Sequence, residues 1–208
     1  MPTRRLPNDP ALTGLLQAIS AGDGEDALRR LAEAPELATA SLTMDAAFDR
    51  PRASYVGDTA LHIAAAAHQP QVAQVLITLG AAVRARNRRG AEPLHYAAMG
   101  QPGSPVWDPE AQAAVIQTLI RAGADANGRN LDGATALHRA VRSRSLKAVE
   151  ALLAQGADIH AQNGSGSDAL RLVEYNTGRS GSGSPEAKAQ REAIRRLLED
   201  WIASRPSA

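Results

Sequence analysis

The chain of 208 residues contains no cysteine, which excludes disulfides, thiolate metal sites and thiol nucleophiles together. Aromatic residues are scarce at 3%, yet 44% of the chain is hydrophobic, enough for a single core. No apolar run approaches the roughly 18 residues that a membrane-crossing helix needs. Met1 to Pro10 carries Arg4 and Arg5, but no apolar stretch follows that could serve as a signal-peptide core. A soluble cytoplasmic protein is the expectation. Charge of one sign is missing too: 23 Lys+Arg stand against 22 Asp+Glu, a net +1 that gives no global pull toward nucleic acid or acidic membranes. Any electrostatic preference must come from local patches.

What is present is a repeat. One phrase occurs three times, as Gly57-Asp-Thr-Ala-Leu-His-Ile-Ala-Ala, Gly90-Ala-Glu-Pro-Leu-His-Tyr-Ala-Ala and Gly133-Ala-Thr-Ala-Leu-His-Arg-Ala-Val, with a worn fourth copy from Gly166. These glycines lie 33, 43 and 33 residues apart, so the middle interval is the period plus an insertion of ten. A second phrase follows each of the first three: Leu76-Ile-Thr-Leu-Gly-Ala, Leu119-Ile-Arg-Ala-Gly-Ala-Asp and Leu152-Leu-Ala-Gln-Gly-Ala-Asp. Its apolar residues fall at helical spacing, as in Val72, Val75, Leu76 and Leu79, and it ends at a glycine suited to a left-handed cap. Each unit therefore reads as a turn, a short helix, a second helix and a polar loop back to the next glycine.

These phrases resemble the ankyrin family, whose 33-residue unit carries a Thr-Pro-Leu-His-x-Ala signature. The resemblance covers residues 57 to about 176 strongly and both ends weakly. It implies an all-α solenoid of stacked helix-turn-helix units with hairpin-like fingers. The expected division is 1–56 as N-terminal capping helices and a long connection, 57–89, 90–132 and 133–165 as three repeats, and 166–208 as a degenerate capping repeat. Within the caps, Leu12 to Ser20, Asp26 to Ala34 and Glu186 to Ile202 read as amphipathic helices.

The resemblance also implies a function: binding of another protein through a concave surface made of finger tips and first helices, by a monomer without cofactor. On that surface fall Tyr55, Val56 and Asp58 in the first unit, Arg86, Arg88 and Arg89 in the run Arg84-Ala-Arg-Asn-Arg-Arg89, and Leu131 and Asp132 in the third. Tyrosine and arginine are the usual anchors of interfaces. A second reading comes from two insertions containing Gly-Ser-Pro, Gly100 to Pro109 and Thr177 to Pro185. Between them in the stack lies Arg142-Ser-Arg-Ser-Leu-Lys147. Arg142, Arg144 and Lys147 could hold an anion with help from loop N–H groups, making the protein an anion sensor. The plainer alternative is a pair of solvated loops, which cost little to close.

Catalytic chemistry finds no foothold. No nucleophile elbow, dinucleotide fingerprint or P-loop is present. His62, His95 and His138 occupy one repeat position and are therefore about 10 Å apart along the stack. Zinc ligands stand near 2 Å from the metal, so these three cannot share one. Their expected role is to bond the turn of their own phrase through Thr59 and Thr135, and no metal is expected. Trp107, between prolines in the first insertion, is expected to fold back as a packing plug.

Overall fold

Most helices of this chain begin where the sequence supplies an acceptor for the unpaired N–H groups of a first turn. The computed structural model describes residues 8–48, 54–174 and 185–204. Helix α1 (Pro10–Ala21) starts on Asp9, whose carboxylate accepts from the Ala11 N–H at 2.7 Å, with Pro10 in the first helical position. Helix α2 (Gly24–Glu33) is capped by Asp23 through the Asp26 N–H at 2.9 Å. The first helices of the repeats, α3 (Ala60–Ala66), α5 (Pro93–Ala97) and α7 (Ala136–Arg142), share a reciprocal cap. In each, histidine Nδ1 accepts from the N–H of the residue three before it, at 3.1 Å for Thr59–His62, Glu92–His95 and Thr135–His138 alike. The second helices are α4 (Pro70–Thr78), α6 (Pro109–Arg121) and α8 (Leu146–Ala154), followed by α9 (Ala169–Glu174) and α10 (Pro185–Ser204).

Among the described residues there are ten α-helices and no strand. The helices form two layers. One holds α1, α3, α5, α7 and α9 in sequence, each against the next; the other holds α2, α4, α6, α8 and α10 in the same way. Leu15, Leu16, Leu61, Leu76, Leu94, Ile116, Leu119 and Leu152 fill the space between them and are almost wholly buried. Removing each such side chain from water stabilises the stack by about 1.5–3 kcal/mol. Alanines at the contacts, including Ala64, Ala97, Ala140 and Ala148, let the helix backbones approach. Leu79 departs from the expected stripe: it lies one residue beyond α4, at the cap, and is 36% exposed.

The long connection after α2 contains a short 3-10 helix, Pro35–Ala38, and then forms the first finger. Isolated bridges pair Ser41 with Thr59 and Ala46 with Ser54. Between later fingers the chain passes backbone to backbone, which is why Gly133 has no side chain. Its φ is +69°, and a Cβ there would stand 2.9 Å from the Gly164 nitrogen.

The ten-residue insertion between α5 and α6 is spent on two things. Helix α6 runs 13 residues where α4 and α8 run nine, and the remainder packs back on the third repeat. Trp107 is half-buried, its Nε1–H donating to Gln112 Oε1 at 3.0 Å, while Gln112 donates to the Ala97 carbonyl at 2.8 Å. The Gly100 N–H reaches Ser143 Oγ at 3.0 Å. Trp107 is thus the plug that its apolar bulk predicts. The second insertion lies almost wholly outside the described residues, from 177 to 184.

Candidate partner-binding surface

The later fingers are held by an asparagine that recurs three residues before Gly90, Gly133 and Gly166. Asn87 Oδ1 accepts from the N–H groups of Arg89 and Ala91 at 2.9 and 3.1 Å. Asn130 does the same for Asp132 and Ala134, and Asn163 for Ser165 and Ser167. Adjacent fingers then bond to each other: Arg88 N–H to the Val56 carbonyl at 2.8 Å, Leu131 N–H to Arg89 at 3.0 Å, Gly164 N–H to Asp132 at 2.8 Å. The histidines complete the lattice. With Nδ1 accepting, the ring proton sits on Nε2, which donates to the next finger's carbonyl: His62 to Ala91, His95 to Ala134 and His138 to Ser167, at 3.0–3.1 Å. Burial pushes all three imidazoles below their usual pKa, His95 to about 4. They are neutral structural pins, as the turn reading predicts, and each also spans two repeats.

Asp58 needs a correction. Expected at a finger tip in contact with a partner, it is wholly buried. Its Oδ1 accepts from Asn87 Nδ2 at 2.8 Å, and its Oδ2 accepts from the Tyr96 hydroxyl at 2.9 Å and the Tyr55 N–H at 2.7 Å. A carboxylate so enclosed persists because every bond it accepts is made. Burial and the Asp58 charge push the Tyr96 hydroxyl far up, keeping it a donor.

The arginine run is exposed but mostly paired. Arg84 and Arg86 stand against Glu92 at 3.7 and 3.3 Å, and Arg88 meets Asp45. Arg89 lies 3.9 Å from Asp132, a loose pair. Arg88 and Arg89 also flank the Tyr55 ring, their guanidinium carbons 5.2 and 5.4 Å from its centroid. Val56 is half-buried, its N–H donating to Asp45. Among the described residues Leu131 is the most exposed of the large apolar ones, at 75%. With Arg88, Arg89 and Asp132 it lines a shallow cleft of about 270 Å³.

Beside this cleft runs a larger groove of about 480 Å³ between fingers and first helices. Tyr55, Arg89 and Asp132 contribute to it as expected, and so does Arg142 from the other predicted set. Sequence reasoning missed Tyr96, Met99 and Arg139, which line the groove from the first helices. A signal existed: Tyr96 and Arg139 both follow the histidine of the Leu-His phrase, the one position where the copies differ freely.

The cations expected to cradle an anion are divided. Arg142 faces the groove, whereas Arg144 is only 4% exposed, held at φ +59° in the turn between α7 and α8. Lys147 is exposed and paired with Glu110 at 3.2 Å and Glu150 at 3.6 Å, and the Glu110 bond raises its pKa. The shared site is therefore not assembled from these three: burial takes Arg144 and a carboxylate pair takes Lys147. Among the described residues no cluster of His, Asp or Glu is arranged to hold a metal, and no helix is long and apolar enough to cross a membrane.

Two layers of paired helices, bound by fingers and a histidine lattice, define a repeat scaffold that presents a side surface. The family model described as ankyrin repeats, in three copies, matches residues 15–104 and 110–163. The chain belongs to the ankyrin-repeat family, whose members are generally protein–protein interaction modules. No curated protein matches it.

Proposed function

We propose that the chain binds a partner protein through the ridge of finger tips and the groove beneath it, as a cytoplasmic monomer that catalyses nothing and needs no cofactor. The groove itself carries the reading. Tyr55, Arg89, Tyr96, Met99, Arg139 and Arg142 line one concavity, and tyrosine, methionine and arginine are the types enriched where proteins bury surface against each other. Val56, Arg86, Arg88, Leu131 and Asp132 extend it along the tips. Scaffold architecture leaves the partner open, so the surface chemistry must supply the specificity. The anion-sensor alternative gains nothing from the first insertion, where Trp107 and the bond to Ser143 occupy the loop.

The test is capture of the partner from the native organism with the full chain as bait, followed by hydrogen–deuterium exchange on the complex. Protection of 54–58, 87–92 and 129–132 is expected, with Arg88→Glu plus Arg89→Glu abolishing capture. Protection confined to α4, α6 and α8 would move the interface to the opposite layer and end this reading.

A further inference from the structure

The charges along the concave side do not balance locally. Arg84, Arg86 and Arg88 are answered by Glu92, Asp125 and Asp45. Inside the groove the account is different. Three arginines, Arg89, Arg139 and Arg142, face one carboxylate, Asp132, which pairs loosely with Arg89. Among the described residues neither Arg139 nor Arg142 makes an ion pair. Arg139 is half-buried, and its Nη1 finds only the Met99 sulfur at 3.4 Å. A guanidinium partly withdrawn from water without a carboxylate is poorly satisfied, because its five donors want planar oxygen acceptors. Burial is the largest influence on its pKa and lowers it; Tyr96 and Asp132 oppose that shift, and the repulsion of Arg142 and Arg89 adds to it.

We infer that the segment of the partner seated in this groove is an acidic peptide, with Asp or Glu carboxylates on Arg139 and Arg142 and apolar stems against Tyr96 and Met99. This deepens the ridge reading and rests on it. A carboxylate reaching Arg139 supplies oxygen acceptors in a partly desolvated setting, where such bonds are strongest. Arg142, exposed at the end of α7, sets the approach and makes it salt-sensitive. Nucleic acid fits less well: the net charge is +1, Arg84, Arg86 and Arg88 already face carboxylates, and Arg129 is bonded to the Gly133 and Gln162 carbonyls.

The experiment titrates the full chain with fluorescent decaglutamate, decaglutamine and decathymidylate at low and high salt. Decaglutamate is expected to bind, to weaken as salt rises, and to lose about tenfold in affinity with Arg139→Met and again with Arg142→Gln. Melting curves accompany each variant; if Arg139→Met fails to fold, the exposed Arg142→Gln alone carries the test. Decaglutamine binding as well as decaglutamate, indifference of decaglutamate to both variants, or tighter decathymidylate binding lost in the same variants would each overturn the acidic groove. None of these outcomes touches the ridge reading, which stands or falls on the exchange footprint of the captured partner.

Discussion

The Tyr96 hydroxyl donates to the Asp58 carboxylate at 2.9 Å, tying the first helix of the second repeat to the finger of the first across 38 residues of chain. Asn87 and the Tyr55 N–H converge on the same carboxylate, so one buried acid sets the floor beneath the candidate groove. Asp58→Ala strands the three donors that converge on it beneath the groove. The expected loss is about 3 kcal/mol of unfolding free energy by urea titration, in the range for buried donors left unsatisfied around a charge. A variant with unchanged stability and weakened partner binding would return Asp58 to the contact surface.

Core positions differ in how many neighbours depend on them. Leu152 in α8 and Leu198 in α10 are both wholly buried. Leu152→Ala should cost about 2–5 kcal/mol through lost burial plus a cavity. Leu198→Ala sits in a terminal unit with a neighbour on one side only, and its loss should be smaller. Equal small losses at the two sites would show that the second helices are not coupled along the stack as the layers imply.

Much of this architecture was legible because the period fixed it. Glycines 33, 43 and 33 residues apart, with Leu-His phrases after them, place the first helices within a residue or two of where they stand. The same spacing holds a second signal, since Asn87, Asn130 and Asn163 recur at 43 and 33 and tie the three later fingers. The site was harder. Its expected members are finger residues, which a repeat phrase locates in sequence but not in depth. Asp58 and Arg144 are charged residues in turns, where solvation is the default, and only the neighbouring repeat's packing buries them. Tyr96 and Arg139 stand at the variable position after the histidine of the phrase, and their place on the groove wall depends on how the first helices pack against the fingers.

Acid should weaken the stack through its histidines. Burial depresses the folded pKa of His62, His95 and His138 below the usual 6.5, and His95 falls to about 4. Between these values the unfolded chain binds more protons than the folded one, so stability rises with pH there. The full contribution is present above about pH 6.5, declines as pH falls below it, and levels off below the folded value. For His95 the span corresponds to about 3 kcal/mol. Urea midpoints should drop steadily from pH 7 to pH 4.5, with a shallower slope in His95→Gln. An identical slope in that variant would show that His95 is not the neutral pin between Glu92 and Ala134.

Trp107 offers an optical check on the inserted loop. Its indole is half-buried and bonded to Gln112, so in a Trp201→Phe background its emission should be partly shielded from acrylamide in the folded protein. Gln112→Ala removes the acceptor and should raise quenching; because it also strands the Ala97 carbonyl and the Ser145 hydroxyl in the core, it should cost about 3 kcal/mol of stability. Quenching equal to that of the unfolded chain would make the loop a solvated spacer.

Leu131 separates stability from binding most cleanly. It is 75% exposed, so Leu131→Ser should leave the unfolding free energy within about 0.5 kcal/mol of the parent. Its N–H still donates to the Arg89 carbonyl, so the finger keeps its place. If the ridge meets the partner, covering this side chain contributes about 1–2 kcal/mol, and the substitution should weaken the complex roughly tenfold. The matched control is Leu79→Ser, an exposed leucine at the end of α4 in the other layer. Affinity for the captured partner, measured by calorimetry, should fall for Leu131→Ser and hold for Leu79→Ser. The reverse pattern would put the interface on the second helices and leave the tips as solvated hairpins.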